Sequence, residues 1–331
     1  MIRRMAVPIA ILSIPKLCDG FLHSMNIRVT RSVVQQMIAE KGDGGESDHS
    51  HRWKHEPFDF SSKFGWDNFY KKGLQHTDDM GESTTEVGDG DNDNTADTIE
   101  SLEYEWHGHI PHSVVVGAIE PTISAASQYY SQKQPTSQED ALPSILLVGC
   151  GNSALPRVLH DAFATPVQVT CLDYSPVCID MIKSMYESSC PNMDFVVGDA
   201  TNLQHVQWEG NTAKESREKK QFDVIVDKGL MDALMCGEGF DLERLMGSVD
   251  GVLTHREWGV HVLICFQLSK ASKQGLAEFG NSESNPSLLW DFDIPVEGSE
   301  NGRACFNIAQ RGRGQGTSGL GVDKQLTTEW I

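Results

Sequence analysis

Ser144-Ile-Leu-Leu-Val-Gly-Cys-Gly-Asn-Ser-Ala154 reads as a short buried strand that runs into a glycine turn and opens a helix. Gly149, Gly151 and Ala154 match the pattern G-x-G-x-x-A, and Asp173 follows 22 residues after Gly151. In such a pattern the glycines let the backbone approach a ligand, helix N-terminal amides face it, and the acid at the end of the next strand grips a ribose. By itself the turn suits a nicotinamide dinucleotide and S-adenosylmethionine equally, and a plain tight turn is the third reading.

Further along the chain, Val167 to Leu172 ends at Asp173, Met193 to Val197 ends near Asp199, and Phe222 to Val226 ends at Asp227. Counted from Gly149, the intervals between these ends are 24, 26 and 28 residues. A strand with its crossover helix takes about thirty residues, so the spacing predicts repeated βαβ units. Val177 to Tyr186 and Leu242 to Leu253 carry apolar residues at helical spacing. Val260 to Leu268 is a fifth strand, and Leu288 to Val296 and Arg303 to Ala309 close the chain as a pair around Gly298-Ser-Glu-Asn-Gly302. The predicted fold is an α/β, doubly wound, mostly parallel seven-stranded sheet with a terminal antiparallel hairpin. Asp173, Asp199 and Asp227 then fall together at the carboxyl ends of parallel strands, where open α/β sheets bind ligands. Each alone could be an ordinary strand-end cap.

The 331 residues hold 27 Lys and Arg against 47 Asp and Glu, a net charge of −20 that argues against general nucleic-acid binding. Eleven of the acids lie between Thr77 and Glu105 with no Lys or Arg among them, so this stretch accounts for more than half of the net charge. With almost nothing apolar before Ile99, it is expected to be a solvated loop. It is either inert or an attractor of a basic substrate. Asp89-Gly-Asp-Asn-Asp93 lacks the downstream Glu of a calcium loop. The two histidine groups, His49, His51, His55 and His107, His109, His112, lack zinc-ligand partners at fixed spacing, so no metal site is expected. Eight singly placed cysteines read as buried thiols in a reducing compartment.

The first 35 residues have five basic residues and one acid, which suits a transit peptide. A cytoplasmic location is expected, with a mitochondrion or another organelle as the alternative. No segment has eighteen consecutive apolar residues, and a soluble monomer without a membrane partner is expected. The expected organisation is an N-terminal extension over residues 1–60, a catalytic domain over 61–310 with an insertion at about 77–100, and a flexible tail over 311–331.

Ile145 to Leu155, Leu172-Asp-Tyr-Ser-Pro-Val177 and Phe222-Asp-Val-Ile-Val-Asp-Lys-Gly-Leu-Met-Asp-Ala-Leu234 resemble the seven-stranded S-adenosylmethionine-dependent methyltransferases. They are similar above all to the methyltransferase-like group that modifies protein lysines, including enzymes acting on elongation factor 1A and on mitochondrial citrate synthase. Phe64-Gly-Trp-Asp-Asn-Phe-Tyr70 and Tyr104-Glu-Trp-His-Gly108 resemble the two halves of that group's N-terminal aromatic segment. Trp66 and Tyr70 are four apart and would share a helix face, either closing over the cofactor or packing in the core.

The resemblance implies S-adenosyl-L-methionine as cofactor and a protein partner bearing a target lysine. It assigns Gly149 and Gly151 to the cofactor's methionine part, Asp173 to the ribose hydroxyls, Tyr174 to a place beside the adenine, and Asp199 and Ala200 to the adenine edge. Lys228 aligns with a cofactor-contacting lysine, and Trp66, Tyr70 and Trp106 with the aromatic cover. Asp227 would orient either the cofactor's ammonium or the incoming amine. Leu230 stands where Thr is common and His107 where Tyr or Phe is common, which bears on the substrate more than on the cofactor. A small-molecule or other protein methyltransferase uses the same cofactor motifs. Readings from other classes are a nicotinamide-dependent oxidoreductase and a non-catalytic binding module.

Overall fold

The structure, a computed structural model, describes residues 62–80, 103–133, 142–208, 220–237, 242–279, 288–296 and 304–312, the side chains of 72–80 excepted. All of them belong to one compact unit, residues 59–331. The expected N-terminal extension, His49, His51 and His55, most of the acidic stretch and nearly all of the expected tail lie outside the described residues.

Aliphatic and β-branched runs form the strands β1 (Ser144–Val148), β2 (Gln168–Asp173), β3 (Met193–Val197), β4 (Val224–Lys228) and β5 (Val260–Phe266), followed by β6 (Leu288–Ile294) and β7 (Ala304–Arg311). They make one sheet in the order β3-β2-β1-β4-β5-β7-β6. Neighbours among β1 to β5 pair in parallel, and β7 runs antiparallel to both β5 and β6. Every residue of β2 is buried, as befits a strand covered on both faces. The chain order reverses between β1 and β4, so the crevice outside their carboxyl ends is the ligand position this topology offers.

The helices are α1 (Lys63–Met80), α2 (His112–Gln132), α3 (Leu155–Asp161), α4 (Pro176–Tyr186), α5 (Leu230–Met235), α6 (Leu242–Asp250) and α7 (Lys270–Phe279). The start of α4 is written in its sequence: the Ser175 hydroxyl accepts from the Cys178 N–H, and Pro176 occupies the first turn. Leu245, Met246 and Val249 of α6 pack with Leu146, Ile225 and Leu263 of the sheet in a single apolar cluster.

Three boundaries differ from expectation. Phe222 forms an isolated bridge to Leu253, so β4 starts at Val224 and continues through Asp227 to Lys228; Asp227 is inside the strand. α1 extends to Met80, so the stretch expected to be a loop from Thr77 begins as helix. β7 runs through Arg311, which was expected to open the tail.

Arg311 is held because its buried guanidinium finds several acceptors. Nε donates to the Thr254 carbonyl at 3.1 Å, Nη2 to the Asp250 carbonyl at 3.2 Å, and Nη1 pairs with the Asp250 carboxylate at 2.5 Å. No helix among the described residues is long and apolar enough to cross a membrane. Arg311→Met removes a buried cation while leaving its acceptors in place. It should lower stability by about 3 kcal/mol in urea unfolding, with Arg311→Lys recovering only part of the loss. A loss below about 1 kcal/mol for the methionine variant would mean that the contact contributes no more than a surface pair.

Candidate active site

Two sharp turns meet at the carboxyl ends of β1 and β4. Gly149 and Gly151 adopt φ of 60° and 55°, and Gly229 of the D-K-G turn adopts 90°, a region open mainly to glycine. A Cβ placed on Gly149 would stand 2.9 Å from the Leu230 Cβ, so the two turns pack directly on one another. The Cys150 N–H donates to the Leu172 carbonyl at 3.0 Å, which ties the first turn to β2. Between the turns a small cavity is lined by Trp106, Gly149, Cys150, Ser153 and Lys228 along with the last residues of β1.

Glu105 links the aromatic segment to both turns. Its carboxylate accepts from the Ala154 N–H at 2.7 Å and the Ser153 hydroxyl at 2.8 Å, pairs with His112 at 3.1 Å, and receives a short contact from Lys228 Nζ. Burial would raise its pKa, but the hydrogen bonds and charges of His112 and Lys228 outweigh this and hold the carboxyl at about 2. Burial pulls the Lys228 ammonium in the direction of neutrality, and Glu105 opposes that. The pair is thus ionised and locked, with the Lys228 side chain only 7% exposed.

The aromatic residues pack on one another, with Trp66 and Tyr70 buried. Trp66 stacks on Tyr70 with centroids 5.9 Å apart, meets Trp106 edge-on at 5.7 Å, and Trp106 meets Tyr104 at 5.5 Å. α1 is fastened further by a short hydrogen bond from the Ser175 hydroxyl to Asp67. Asp173 is buried, and its carboxylate accepts from the Gly151 N–H at 3.2 Å and the Ser175 N–H at 2.9 Å. Burial, opposed by those N–H groups and reinforced by the Asp67 charge, raises it to about 6. Asp173 forms no ion pair with a lysine or arginine among the described residues. A buried acceptor next to bare glycine backbone and without a cation suits hydroxyl donors such as a ribose diol, so the residues present fit S-adenosylmethionine. Asp199 is different: exposed, it accepts from the Thr201 N–H and hydroxyl, each at 2.8 Å, and caps the 3-10 turn Ala200–His205. Tyr174 is half-buried. The structure therefore gathers Gly149, Trp106 and Lys228 around one cavity, whereas Gly151, Asp173 and Tyr174 are not among its lining residues. Asp199 and Ala200 follow the carboxyl end of β3 and are not among the cavity's lining residues either.

Asp227 is buried and points into its own turn, its Oδ1 accepting from the Leu230 N–H at 2.9 Å and the Met231 N–H at 3.3 Å. Burial and the nearby Asp232 charge push its carboxyl up to about 8 against the pull of those N–H groups. Asp232 is occupied in turn by His107 Nε2 at 2.8 Å and the Phe266 N–H at 3.0 Å. In the sequence His112 stands out only as part of the second histidine group, and Asp232 and Glu105 only as letters of their motifs. The E-W and D-K-G-x-x-D patterns were the available signals, but no local rule says that they touch. His109 accepts from the Ala304 N–H at 3.3 Å, which completes a structural account of the second histidine group.

The raised Asp227 pKa means that the folded protein holds a proton the unfolded chain releases, so stability should fall as pH rises from about 4 to about 8. Asp227→Asn keeps an oxygen for the two N–H groups and cannot ionise. It should flatten that decline and be more stable than the parent by ~2 kcal/mol at pH 8 in thermal unfolding. Parallel pH profiles for the two proteins would refute the assignment.

Residues 145–231 match the family described as a methyltransferase domain. Among curated proteins, the chain is 32% identical over 114 residues to the eEF1A lysine and N-terminal methyltransferase of Xenopus laevis, covering 33% of this chain and 14% of that one. It is also 32% identical over 104 residues to the human mitochondrial citrate synthase-lysine N-methyltransferase, covering 28% of this chain and 39% of that one. The chain thus spans well under half the length of either relative. A solved carbon methyltransferase, CurJ, overlaps 90% of this chain and 70% of its own at 12% identity and a TM-score of 0.46, a likeness too slight to add to the strand order. The matched segment contains the glycine turn, Asp173, Asp199 and the D-K-G turn, and the sheet built on it has the mostly parallel seven strands and the antiparallel terminal pair expected from sequence. Residues 145–231 thus carry a methyltransferase domain, and the glycine turn and Asp173 within it fit S-adenosylmethionine.

Proposed function

We propose that the protein transfers a methyl group to the Nε of a lysine in a protein substrate. The observation that carries this reading is the ion pair from Glu105, in the aromatic segment, to Lys228, in the D-K-G turn, at the cavity lined by Trp106 and Gly149. Those two patterns are the ones that resemble the lysine-modifying group. The partial likeness to relatives named for eEF1A and citrate synthase lysines supports the same choice.

S-adenosylmethionine supplies an electrophilic methyl group on a sulfonium. The protein's part is then positioning and exclusion of water. Gly149 and Gly151 hold the methionine end, Asp173 the ribose hydroxyls, Tyr174, Asp199 and Ala200 border the adenine, and Trp66, Tyr70 and Trp106 cover the site. Lys228, neutralised by Glu105, fixes the D-K-G turn in place. Asp227 is proposed to orient the cofactor's ammonium or the substrate amine. A cation brought beside it would favour its ionised form, which the empty protein disfavours. The substrate is a protein met in a reducing compartment, cytoplasmic or mitochondrial.

Incubation of the full chain with methyl-labelled cofactor and cytosolic or mitochondrial extract should label a protein, and acid hydrolysis should release methylated lysine. Asp173→Ala should weaken cofactor binding at least tenfold by calorimetry and abolish labelling. Trp106→Ala should lower turnover roughly tenfold while the domain remains folded. Label confined to small molecules or RNA would overturn the lysine reading and leave the cofactor assignment standing.

A further inference from the structure

The glycine turn carries thiol chemistry that methyl transfer does not use. Cys150 sits between Gly149 and Gly151, Cys178 lies in the first turn of α4, and Asp173 ends β2. Their two sulfurs and a carboxylate oxygen all lie within 4.8 Å of one another, and all three residues are buried. Cys171 reaches the Cys150 sulfur with its own thiol, and the Tyr70 hydroxyl reaches Cys178. None of the seven described cysteines is in a disulfide, so both sulfurs are available as ligands.

Two sulfurs and one carboxylate make a donor set for a thiophilic divalent cation such as zinc or cadmium, and a poor one for magnesium or calcium. Metal–sulfur bonds of about 2.3 Å put the sulfurs of a tetrahedral site roughly 3.8 Å apart, a spacing that side-chain rotation can reach from the one present. The elements holding the three ligands are rigid: a strand end, a turn fixed by the Leu172 carbonyl, and a capped helix start.

We propose that Cys150, Asp173 and Cys178 form an inhibitory site for a thiophilic divalent cation, bound in competition with S-adenosylmethionine. Binding releases the two thiol protons to solvent and involves no electron transfer. It takes Asp173 away from the ribose hydroxyls and displaces the Tyr70 hydroxyl from Cys178, which loosens the aromatic cover from beneath. The competition rests on the reading of Asp173 and the glycine turn as the cofactor's cradle, whereas the metal site itself does not.

The test is titration of the metal-free full chain with cadmium chloride under a phosphine reductant. The expected result is one equivalent bound with sulfur-to-metal charge-transfer absorption in the ultraviolet. That absorption should be lost in Cys150→Ser and in Cys178→Ala and kept in Cys305→Ser, with circular dichroism showing each variant folded. Saturating S-adenosylmethionine should weaken cadmium binding at least tenfold, and cadmium should weaken the cofactor by the same factor. Absorption that persists in both site variants, or its absence in the parent, overturns the site. A variant-sensitive site that leaves S-adenosylmethionine affinity unchanged overturns the inhibition while leaving the methyltransferase reading intact. Cadmium binding at this site in a protein that binds no S-adenosylmethionine supports the metal site and defeats the cofactor reading instead.

Discussion

The Glu105 carboxylate is the constraint on which the remainder of the site depends. It meets the start of α3, His112 at the start of α2, and Lys228 at the end of β4, and so ties three separate elements to one carboxylate. Buried ion pairs seldom add much net stability, because desolvation of both partners offsets their attraction. What this one supplies is position. With Lys228 held, the D-K-G turn sits where Leu230 can pack on Gly149, and the aromatic segment has a single seating over the strand ends. A longer or shorter acid in place of Glu105 would keep the charge and lose the alignment.

Around that fixed point the empty site is electrostatically uncomfortable. Asp173 and Asp227 are both buried without a cation of their own and both are driven toward the protonated form. A protein tolerates such groups where a ligand will later satisfy them, and the cost appears as lower stability of the unliganded state. Hydroxyl donors relieve Asp173 and a cation relieves Asp227, so the two deficits map the polar outline of what the site is built to receive.

The sheet was legible from sequence because strand-length apolar runs ending in Gly or Asp recur at intervals close to one βα unit. The glycine turn was legible because positive φ leaves few choices of residue. What sequence could not show depends on contacts between distant segments. Glu105 is an ordinary acid in an acid-rich stretch until its partners are known. Asp199 has the same strand-end position as Asp173, yet one is exposed and capping while the other is buried against the turn. Arg311 follows a predicted strand and precedes Gly-rich chain, so composition favoured a mobile tail. The Arg311 backbone pairs opposite Leu288 and its N–H donates to the Gly259 carbonyl, while acceptors on Asp250, Leu253 and Thr254 hold its guanidinium in place.

The Glu105–Lys228 contact also sets an order of events during synthesis. The two residues are 123 positions apart, and the aromatic segment precedes every strand it covers. At about 5–20 residues per second, Trp66, Tyr70 and Trp106 emerge roughly ten seconds before the lysine that seats them. β7 leaves the ribosome later still, and until it arrives the hydrogen-bonding edge of β5 is bare. The nascent chain therefore passes through a stage with exposed aromatics at one end and an open sheet edge at the other, a form that general chaperones are suited to hold.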